Sequence, residues 1–386
     1  MTIVFVTNTL DVGGVETNLL CLATELRRRS HAVIVVAEDG ALRQELEAIG
    51  VRHVRVPTDW RSPLALWQAS VIVRRLVRDT PIDAFHVLSA TGAAIVALAR
   101  RGQAVFPPVF SAPGGLYESP EERLWRDARL WVSTWGADVM LAISGEIERG
   151  LTQLPLPPHP RIVPFCHIAL DTQRFRPLNG QANLQRLREE LRVPADARVI
   201  GTIGACLPRK SHHLFLEAAA AVAVQEPHAY FLIIGDGALR PNLEALAAKL
   251  GIAQRVRFTG VRHDIPELLN LLDVYMRPGV VEGFAGITAL EALGVGVPTV
   301  AFETEDVKVA VIDGQTGVLV PCGDTQALAR AILGLLRDPA RAKTLAQAGR
   351  QLVYERFTTE RIVDGLERLY HSGKGSEQQG ICCGSA

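Results

Sequence analysis

Three segments of the sequence combine glycine, charge and spacing in ways that suit phosphate and hydroxyl binding. The first, Gly13-Gly14-Val15-Glu16, lies where an apolar run gives way to a helical pattern. Paired glycines let the backbone approach a ligand closely, and the helix N-terminus behind them favours an anion. The dinucleotide fingerprint Gly-x-Gly-x-x-Gly is absent from this turn. A plain tight turn is the alternative interpretation.

The second segment, residues 201–211 (GTIGACLPRKS), follows another apolar run. Its backbone could cradle phosphate, and Arg209 and Lys210 supply cations that could neutralise a leaving diphosphate. A solvated basic turn is the alternative.

The third segment, residues 278–298 (PGVVEGFAGITALEALGVGVP), carries two glutamates. Glu282 lies in a glycine-rich loop, where a structural cap is its alternative role. Glu291 lies in a helix that Gly294–Pro298 terminates, and apolar residues flank it on both sides. A carboxylate in such surroundings needs hydrogen-bond partners, and sugar hydroxyls would be good ones.

The elements around these segments alternate between strand and helix. An apolar run at Ile3–Val6, a glycine-containing turn, a helical leucine stripe and a second run at Ala32–Val36 predict a βαβ unit. Strands this continuously apolar suit a parallel sheet covered on both faces. Further strands are predicted at Val51–Val56, Ala84–Leu88, Val105–Phe110, Val139–Ile143 and Arg161–Pro164.

A Pro-rich stretch at residues 155–164 closes this block, and a second α/β series follows. Its strands are predicted at Val199–Ile203, Tyr230–Ile234, Val256–Thr259, Val274–Met276, Thr299–Phe302 and Val318–Val320. We therefore predict an α/β protein of two Rossmann-like, doubly wound domains, residues 1–178 and 179–352, with the ligand in the cleft between them. A C-terminal helix at 353–371 is expected to return toward the first domain, and 372–386 to form a flexible tail.

Composition excludes several classes of function. Among 386 residues, Lys plus Arg (41) equals Asp plus Glu (41), so no global field favours nucleic acid or an anionic membrane, and only a local patch could bind either. The six cysteines lack metal-ligand spacing, which predicts reduced thiols in a cytoplasmic protein. The first residues are typical of a strand rather than a signal peptide. No apolar stretch approaches the roughly 20 residues that span a bilayer.

One segment raises the possibility of membrane contact. Residues 60–78 (WRSPLALWQASVIVRRLVR) combine tryptophans with arginines, as interfacial helices do. An amphipathic helix packed on the first sheet, with its arginines facing water, is the alternative. Peripheral attachment at the inner face of the membrane is thus a second hypothesis for the location of the protein.

Taken together, the motifs resemble glycosyltransferase family 4, the retaining sugar-nucleotide transferases with the two-domain GT-B fold. The resemblance extends to about residue 371. The segments that carry it are Gly13-Gly14-x-Glu16, Asp138 to Ser144 (DVMLAIS), Asp171 to Phe175 (DTQRF), Lys210, Gly235-Asp236-Gly237, Phe258 to Gly260 (FTG), Glu282-Gly283-Phe284, Glu291-Ala292, Gly296-x-Pro298 and Asp313 to Val320 (DGQTGVLV).

The resemblance implies roles for the matching positions. Gly13 and Gly14 would lie against the donor diphosphate or the acceptor, and Lys210 would bind the diphosphate. The backbone near Val261 would contact the base, and Glu291 would hold the ribose hydroxyls. Glu282 and its loop would face the donor sugar. The other residues assigned to the donor site are Gly204, Gly283, Phe284, Gly286 and Ile287. The resemblance implies no metal and no cofactor besides the donor, and the sequence contains no Asp-x-Asp motif.

The chain departs from the family pattern in three places. Ala205 stands where the family usually has an arginine, so Arg209 is expected to substitute. Eight residues rather than seven separate Glu282 from Glu291, which indicates an insertion in the loop and, if Gly286 matches the second loop glycine, shifts Glu282 by one place. Pro113 lies where many members carry a histidine. His86 ends another strand and is the substitute catalytic candidate, with a core or loop histidine as the alternative.

The predicted function is transfer of a hexose-type sugar from a nucleoside diphosphate to a glycan, lipid-linked or small-molecule acceptor. Lys210, Glu282, Arg209 and His86 are the catalytic candidates. Two alternatives stay open: a non-catalytic sugar-nucleotide sensor or partner subunit, which Ala205 and Pro113 would explain, and a sugar-nucleotide epimerase. The oligomeric state stays open as well.

Overall fold

The computed structural model describes residues 1–11, 13–112, 123–154, 160–178, 181–280 and 286–372. They form two units. Unit 1 contains Met1–Ala169 and the described residues from Phe357 onward, and unit 2 contains Leu170–Arg356.

Unit 1 begins with strands and helices in alternation. In chain order these are β1 (Thr2–Val6), α1 (Gly14–Arg28), β2 (Ala32–Ala37), α2 (Arg43–Ala48), β3 (Arg52–Arg55), α3 (Pro63–Asp79), β4 (Ala84–Val87), α4 (Ala90–Arg100), β5 (Val109–Ser111), α5 (Arg123–Thr134), β6 (Val139–Ala142), α6 (Gly145–Thr152) and β7 (Arg161–Pro164). The described strands pair in parallel in the order β3-β2-β1-β4-β5-β6-β7. The register of the central pair is set by Ile3 opposite Ala84.

Unit 2 repeats the alternation. Its elements are α7 (Gln181–Glu190), β8 (Arg198–Ile203), α8 (His212–Gln225), β9 (Ala229–Ile234), α9 (Arg240–Lys249), β10 (Val256–Phe258), α10 (Ile265–Asn270), β11 (Val274–Arg277), α11 (Ile287–Val295), β12 (Thr299–Phe302), β13 (Val318–Val320), α12 (Thr325–Arg337) and α13 (Pro339–Arg356). Its described strands pair in parallel in the order β10-β9-β8-β11-β12-β13.

Apolar side chains on both faces of each sheet form the cores, as parallel strands covered by helices require. In unit 1, Phe5 and Leu22 belong to the cluster on one face, and Val4 and Val73 belong to the cluster on the other. In unit 2, Phe231 and Leu328 belong to the main cluster. Each predicted strand is present. The fifth starts at Val109 instead of Val105, because Pro107 and Pro108 cannot donate the hydrogen bonds of a sheet ladder.

The last described helix packs on unit 1. Helix α14 (Thr359–Ser372) packs Leu366 and Tyr370 into the core of that unit. Instead of one helix at 353–371, α13 continues to Arg356 and α14 starts anew, because the hydroxyl of Thr358 accepts a hydrogen bond from the Arg361 N–H (3.3 Å). The helix ends one residue later than expected, and residues 373–386, where a tail was predicted, lie outside the described residues.

The division between the units falls after Ala169, nine residues before the predicted one. Residues 170–178 pack on unit 2. A Cβ at Gly294 would lie 2.5 Å from the Leu170 side chain, and Asn270 accepts a hydrogen bond from the backbone of Leu178 (2.8 Å). Across the described part of the chain, no helix is both long and apolar enough to cross a bilayer.

Candidate functional site

Adjacent strands bring two of the predicted segments to one edge of unit 2. Strands β8 and β11 pair in parallel, with Val274 opposite Ile200. The segment after β8 carries Gly204 and Lys210, and the segment after β11 leads into α11 with Glu291. Because parallel strands end at the same edge, both segments start there, which is where open α/β sheets bind ligands.

Gly204 and Lys210 are in close contact. A Cβ at Gly204 would lie 3.0 Å from Cδ of Lys210, so the glycine leaves room for the lysine stem. Pro208–Lys210 form a short 3-10 turn in which Arg209 is exposed and Lys210 is half-buried. The carbonyl oxygen of Gly204 lies 3.1 Å from Nε2 of buried His212. The turn therefore holds the lysine in place and leaves the arginine at the surface.

Glu291 lies in the second turn of α11. Gly286 precedes this helix in the left-handed conformation (φ 55°), which favours glycine, and Ile287 is its first residue. Burial raises the pKa of Glu291 to about 7, and the positive charges of Arg174 and Lys210 oppose that rise. The structure thus brings Lys210 and Glu291 within electrostatic reach of each other.

Arg174 is a further candidate residue near Glu291, which the sequence motifs alone do not indicate. Its guanidinium donates to the carbonyl oxygen of His263 (2.9 Å), lies 5.5 Å from the centroid of the Phe175 ring, and lowers the pKa of Glu291. The segment that contains it, Asp171 to Phe175, is one of those that carry the family resemblance. A lone arginine in that segment carries no signal of its own in the sequence.

The predicted base-contact position lies at the same edge. Val261 follows β10 and is 71% exposed. The preceding Gly260 forms an isolated antiparallel bridge with Gly235, which follows β9. Asp236 beside it accepts from the guanidinium of Arg240 (2.9 Å). The ends of β9 and β10 are therefore joined next to the exposed valine.

A buried ion pair lies directly before the loop of the first glutamate. Arg277, the last residue of β11, is 1% exposed, pairs with Asp306, and donates to the Thr304 hydroxyl (3.0 Å). The sequence motifs do not indicate this ion pair. The signal that could have indicated it is a basic residue, Arg277, at the end of an apolar strand. The predicted residues Glu282, Gly283 and Phe284 themselves lie outside the described residues.

In unit 1, the glycine pair opens a helix. Gly13 is the N-cap of α1, and Gly14 is its first, exposed residue. A Cβ at Gly13 would lie 2.5 Å from Oε2 of Glu16, so the glycine leaves room for that carboxylate to fold over the turn. Burial raises the pKa of Glu16, a hydrogen bond from the backbone lowers it, and nearby Asp11 raises it. The turn combines a helix N-terminus with a carboxylate.

His86 is not placed as a catalytic residue. Its side chain is fully buried in the core of unit 1, its Nδ1 lies 2.6 Å from the Tyr370 hydroxyl, and its ring stacks on Phe5 with centroids 5.2 Å apart. The catalytic assignment is therefore corrected to the alternative, a core histidine. Pro113, the other departure in this unit, lies outside the described residues. The described residues contain no group of three or more His, Cys, Asp or Glu side chains that could hold a metal ion.

Comparisons with known proteins identify the family. A family model described as glycosyl transferases group 1 matches residues 184–352, and one described as glycosyltransferase family 4 matches residues 12–165. The chain therefore belongs to the group 1/family 4 glycosyltransferases.

Curated relatives support this assignment over part of their length. The lipopolysaccharide core biosynthesis glycosyltransferase LpsE of Rhizobium meliloti is 34% identical over 185 residues, which are 48% of this chain and 53% of the relative. The putative glycosyltransferase EpsD of Bacillus subtilis is 30% identical over 250 residues, 64% of each chain. The chain thus spans between half and two thirds of the length of these relatives.

Solved structures share the fold. A glycosyltransferase from Rickettsia africae superposes with a TM-score of 0.83 at 20% identity, covering 97% of this chain and 99% of its own. Anabaena Alr3699/HepE, solved in complex with UDP and glucose, superposes with a TM-score of 0.81 at 21% identity, covering 96% and 99%. The predicted GT-B fold class, with two parallel-sheet α/β domains, is confirmed.

Proposed function

We propose that this protein is a retaining glycosyltransferase that uses a nucleoside-diphosphate sugar and needs no metal. The observation that carries the proposal is the parallel pairing of β8 with β11, which brings the turn of Lys210 and the helix of Glu291 to one edge of the unit 2 sheet. The positive charges of Lys210 and Arg174 also act on the Glu291 carboxyl there. Cations there suit a diphosphate, and a carboxylate suits ribose hydroxyls. Because a protein of the same fold was solved with UDP, UDP is the first probe.

The chemistry that we propose exchanges one bond for another at the anomeric carbon. The bond from that carbon to the diphosphate oxygen breaks, a bond to the acceptor oxygen forms on the same face, and the acceptor proton passes to the leaving phosphate. Lys210 and exposed Arg209 would stabilise the negative charge that develops on the diphosphate. Glu291 would position the ribose. The acceptor is a glycan, a lipid-linked sugar or a small molecule.

Nucleotide binding tests the donor site directly. By isothermal titration with UDP, the Glu291→Ala variant is expected to bind about tenfold to hundredfold more weakly, because it loses an acceptor for charge-assisted hydrogen bonds. The matched control is Glu217→Ala, an exposed glutamate on α8 of the same unit. Unchanged affinity in the Glu291 variant would remove that residue from the site. A panel with GDP and ADP identifies the base.

Turnover separates the three functional hypotheses. Incubation with a panel of sugar donors and acceptors is expected to yield a glycoside with retained anomeric configuration, detected by NMR, in the presence of EDTA. Tight nucleotide binding without transfer or hydrolysis across the panel would favour the sensor or partner subunit. Conversion of the donor sugar into its epimer would favour the epimerase.

A further inference from the structure

An exposed apolar surface lies on unit 1, at the start of α3. We call Trp60, Leu64 and Trp67 the tryptophan patch. They are 57%, 62% and 60% exposed, and they are three of the most exposed large apolar residues in the described chain. Single exposed apolar residues are ordinary, whereas a group of large ones marks a contact surface.

The packing of α3 on its own sheet does not account for the patch. The helix buries its opposite face, including Ala69, Val73 and Leu76, in one of the unit 1 clusters. Its start is capped by Ser62, whose hydroxyl accepts a hydrogen bond from the Ala65 N–H (3.2 Å). The helix is therefore already stabilised by its inner face and its cap, and the outer tryptophans are left facing solvent.

Positive charge accompanies the patch. Residues 59–79 contain four arginines and two aspartates in a chain that is neutral overall. The guanidinium of Arg61 lies 5.3 Å from the centroid of the Trp60 ring, and Arg75 is exposed further along α3. Arg78 pairs with Asp79 (2.8 Å), whose carboxyl also has its pKa lowered by Arg75.

Arg74, unlike Arg61 and Arg75, is held by hydrogen bonds within unit 1. It donates to the carbonyl oxygens of Leu98 (2.6 Å) and Ala99 (3.1 Å) at the end of α4. The alternative interpretation of this helix, packing on the first sheet, is thus correct for Arg74 and for the inner face. Arg61 and Arg75 are the arginines that are left for an external anion.

The patch lies near the ligand-binding edge of the unit 1 sheet. Trp60 follows the last residue of β3, Arg55, by five positions, and the Gly13-Gly14 turn follows the end of β1. Strands β1, β2 and β3 are parallel neighbours, so both segments start from the same edge. A partner bound to the patch would lie on the side of unit 1 that carries the Gly13-Gly14 turn, which the family resemblance places against the donor diphosphate or the acceptor.

We propose that the tryptophan patch, together with Arg61 and Arg75, binds the anionic phospholipid surface of the inner leaflet, so that the acceptor is a lipid-linked molecule in that membrane. Tryptophan side chains suit the headgroup region, and arginine suits lipid phosphates. Stable attachment to a membrane takes two signals, and apolar insertion together with positive charge would supply both. The acceptor part of this inference rests on the proposed function, whereas the membrane part does not.

Vesicle co-sedimentation tests the membrane part with the full chain. Binding is expected to vesicles of phosphatidylcholine with phosphatidylglycerol, to be weak with phosphatidylcholine alone, and to fall as salt rises. Trp60→Ser/Trp67→Ser is expected to lose at least tenfold in partition coefficient. Arg61→Gln/Arg75→Gln is expected to lose up to about fivefold for each arginine. The intrinsic fluorescence of the wild type should shift to shorter wavelength on binding, and that of the tryptophan variant should shift less.

Matched controls lie on unit 2. Val224→Ser removes an apolar residue that is 83% exposed, and Arg330→Gln/Arg341→Gln removes two exposed charges. These variants should bind vesicles like the wild type. Thermal unfolding should be unchanged in all variants, since the substituted side chains are exposed. Wild type that stays in the supernatant, equal losses in patch and control variants, or a dimer that the patch variant dissociates would each overturn the proposal.

A final comparison separates this inference from the proposed function. UDP affinity in solution is expected to be the same for the wild type and the tryptophan variant, because the patch lies on unit 1 and the donor site on unit 2. Transfer to a lipid-linked acceptor in vesicles should fall at least tenfold in the variant, whereas transfer to a soluble acceptor should not change. Lost transfer to both acceptors would contradict the membrane role, and absent UDP binding would contradict the proposed function alone.

Discussion

The Tyr370 hydroxyl lies 2.6 Å from Nδ1 of His86, although 284 positions separate the two residues. Both side chains are fully buried. His86 belongs to β4, a central strand of unit 1, and Tyr370 belongs to α14 near the end of the chain. The hydrogen bond therefore links α14 to a central strand of the unit 1 sheet.

Removing this hydroxyl should destabilise the protein. Tyr370→Phe would leave a buried ring nitrogen without its partner, at an expected cost of about 1–3 kcal/mol. Urea unfolding measures the change. The control is Tyr354→Phe, whose hydroxyl donates to the Thr172 carbonyl at 3.4 Å in a half-buried position of unit 2. Equal costs for the two variants would contradict a special role for the His86 contact.

The same core should make stability depend on pH. Burial lowers the pKa of His167 to about 4, and burial together with nearby His167 holds the pKa of His86 well below 6.5. The unfolded chain takes up these protons near pH 6.5 and the folded chain does not, so the free energy of unfolding falls as pH drops from 6.5 toward 4. Each histidine contributes up to about 1.4 kcal/mol per pH unit.

Glu291 acts in the opposite direction. The folded protein retains its proton up to about pH 7, whereas the unfolded chain releases it near 4.5, so this group lowers stability as pH rises between those values. Comparing the wild type with His86→Leu/Tyr370→Phe cancels the Glu291 contribution. The stability advantage of the wild type should shrink as pH falls below 6.5, and a constant difference from pH 7.5 to 5 would contradict the histidine account.

Nucleotide affinity should also change near the pKa of Glu291. Protonation below about pH 7 replaces the carboxylate by a neutral acid that accepts hydrogen bonds less well. UDP binding is expected to weaken by up to about tenfold per pH unit below that value. Glu291→Gln is the reference, because any remaining pH dependence belongs to the phosphate or to other groups. Matching profiles for the wild type and this variant would exclude Glu291 as the titrating group.

The Arg277–Asp306 pair should behave as a buried ion pair. Arg277→Met removes the guanidinium from a buried carboxylate and should cost about 3–5 kcal/mol. Arg277→Met/Asp306→Leu should cost clearly less than the sum of the two single changes. In the Arg198–Asp273 pair (3.1 Å), where the arginine is exposed and the aspartate half-buried, Arg198→Met should cost about 0–1 kcal/mol. Additive costs at Arg277 and Asp306 in denaturant unfolding would refute the coupling.

The sequence predicted the strands well because most of them are short apolar runs bounded by turn residues. The β8 and β11 strands, and with them the turn of Lys210 and the helix of Glu291, lie where that pattern predicts. The single large shift, at β5, comes from Pro107 and Pro108, which end the ladder although their neighbours are apolar. Local patterns succeed where structure depends on neighbouring residues.

Local patterns fail where a side chain meets residues from distant parts of the chain. His86 lies near the end of an apolar strand in either interpretation, and the contact with Tyr370 decides between a core histidine and a catalytic one. Arg174 carried no signal until folding brought its charge within reach of Glu291. Arg277 forms a buried ion pair only because folding places it next to Asp306, which follows the next strand in the chain.

By itself, the sequence determined the alternation of strands and helices, the two parallel sheets and the turns that follow their strands, because periodicity and glycine placement act over a few residues. Only the tertiary structure decided which charges meet, which histidine is buried and which tryptophans stay exposed. Burial and Coulomb interactions depend on distance in space, and for Glu291 and His86 that distance is set by packing between segments far apart in the chain.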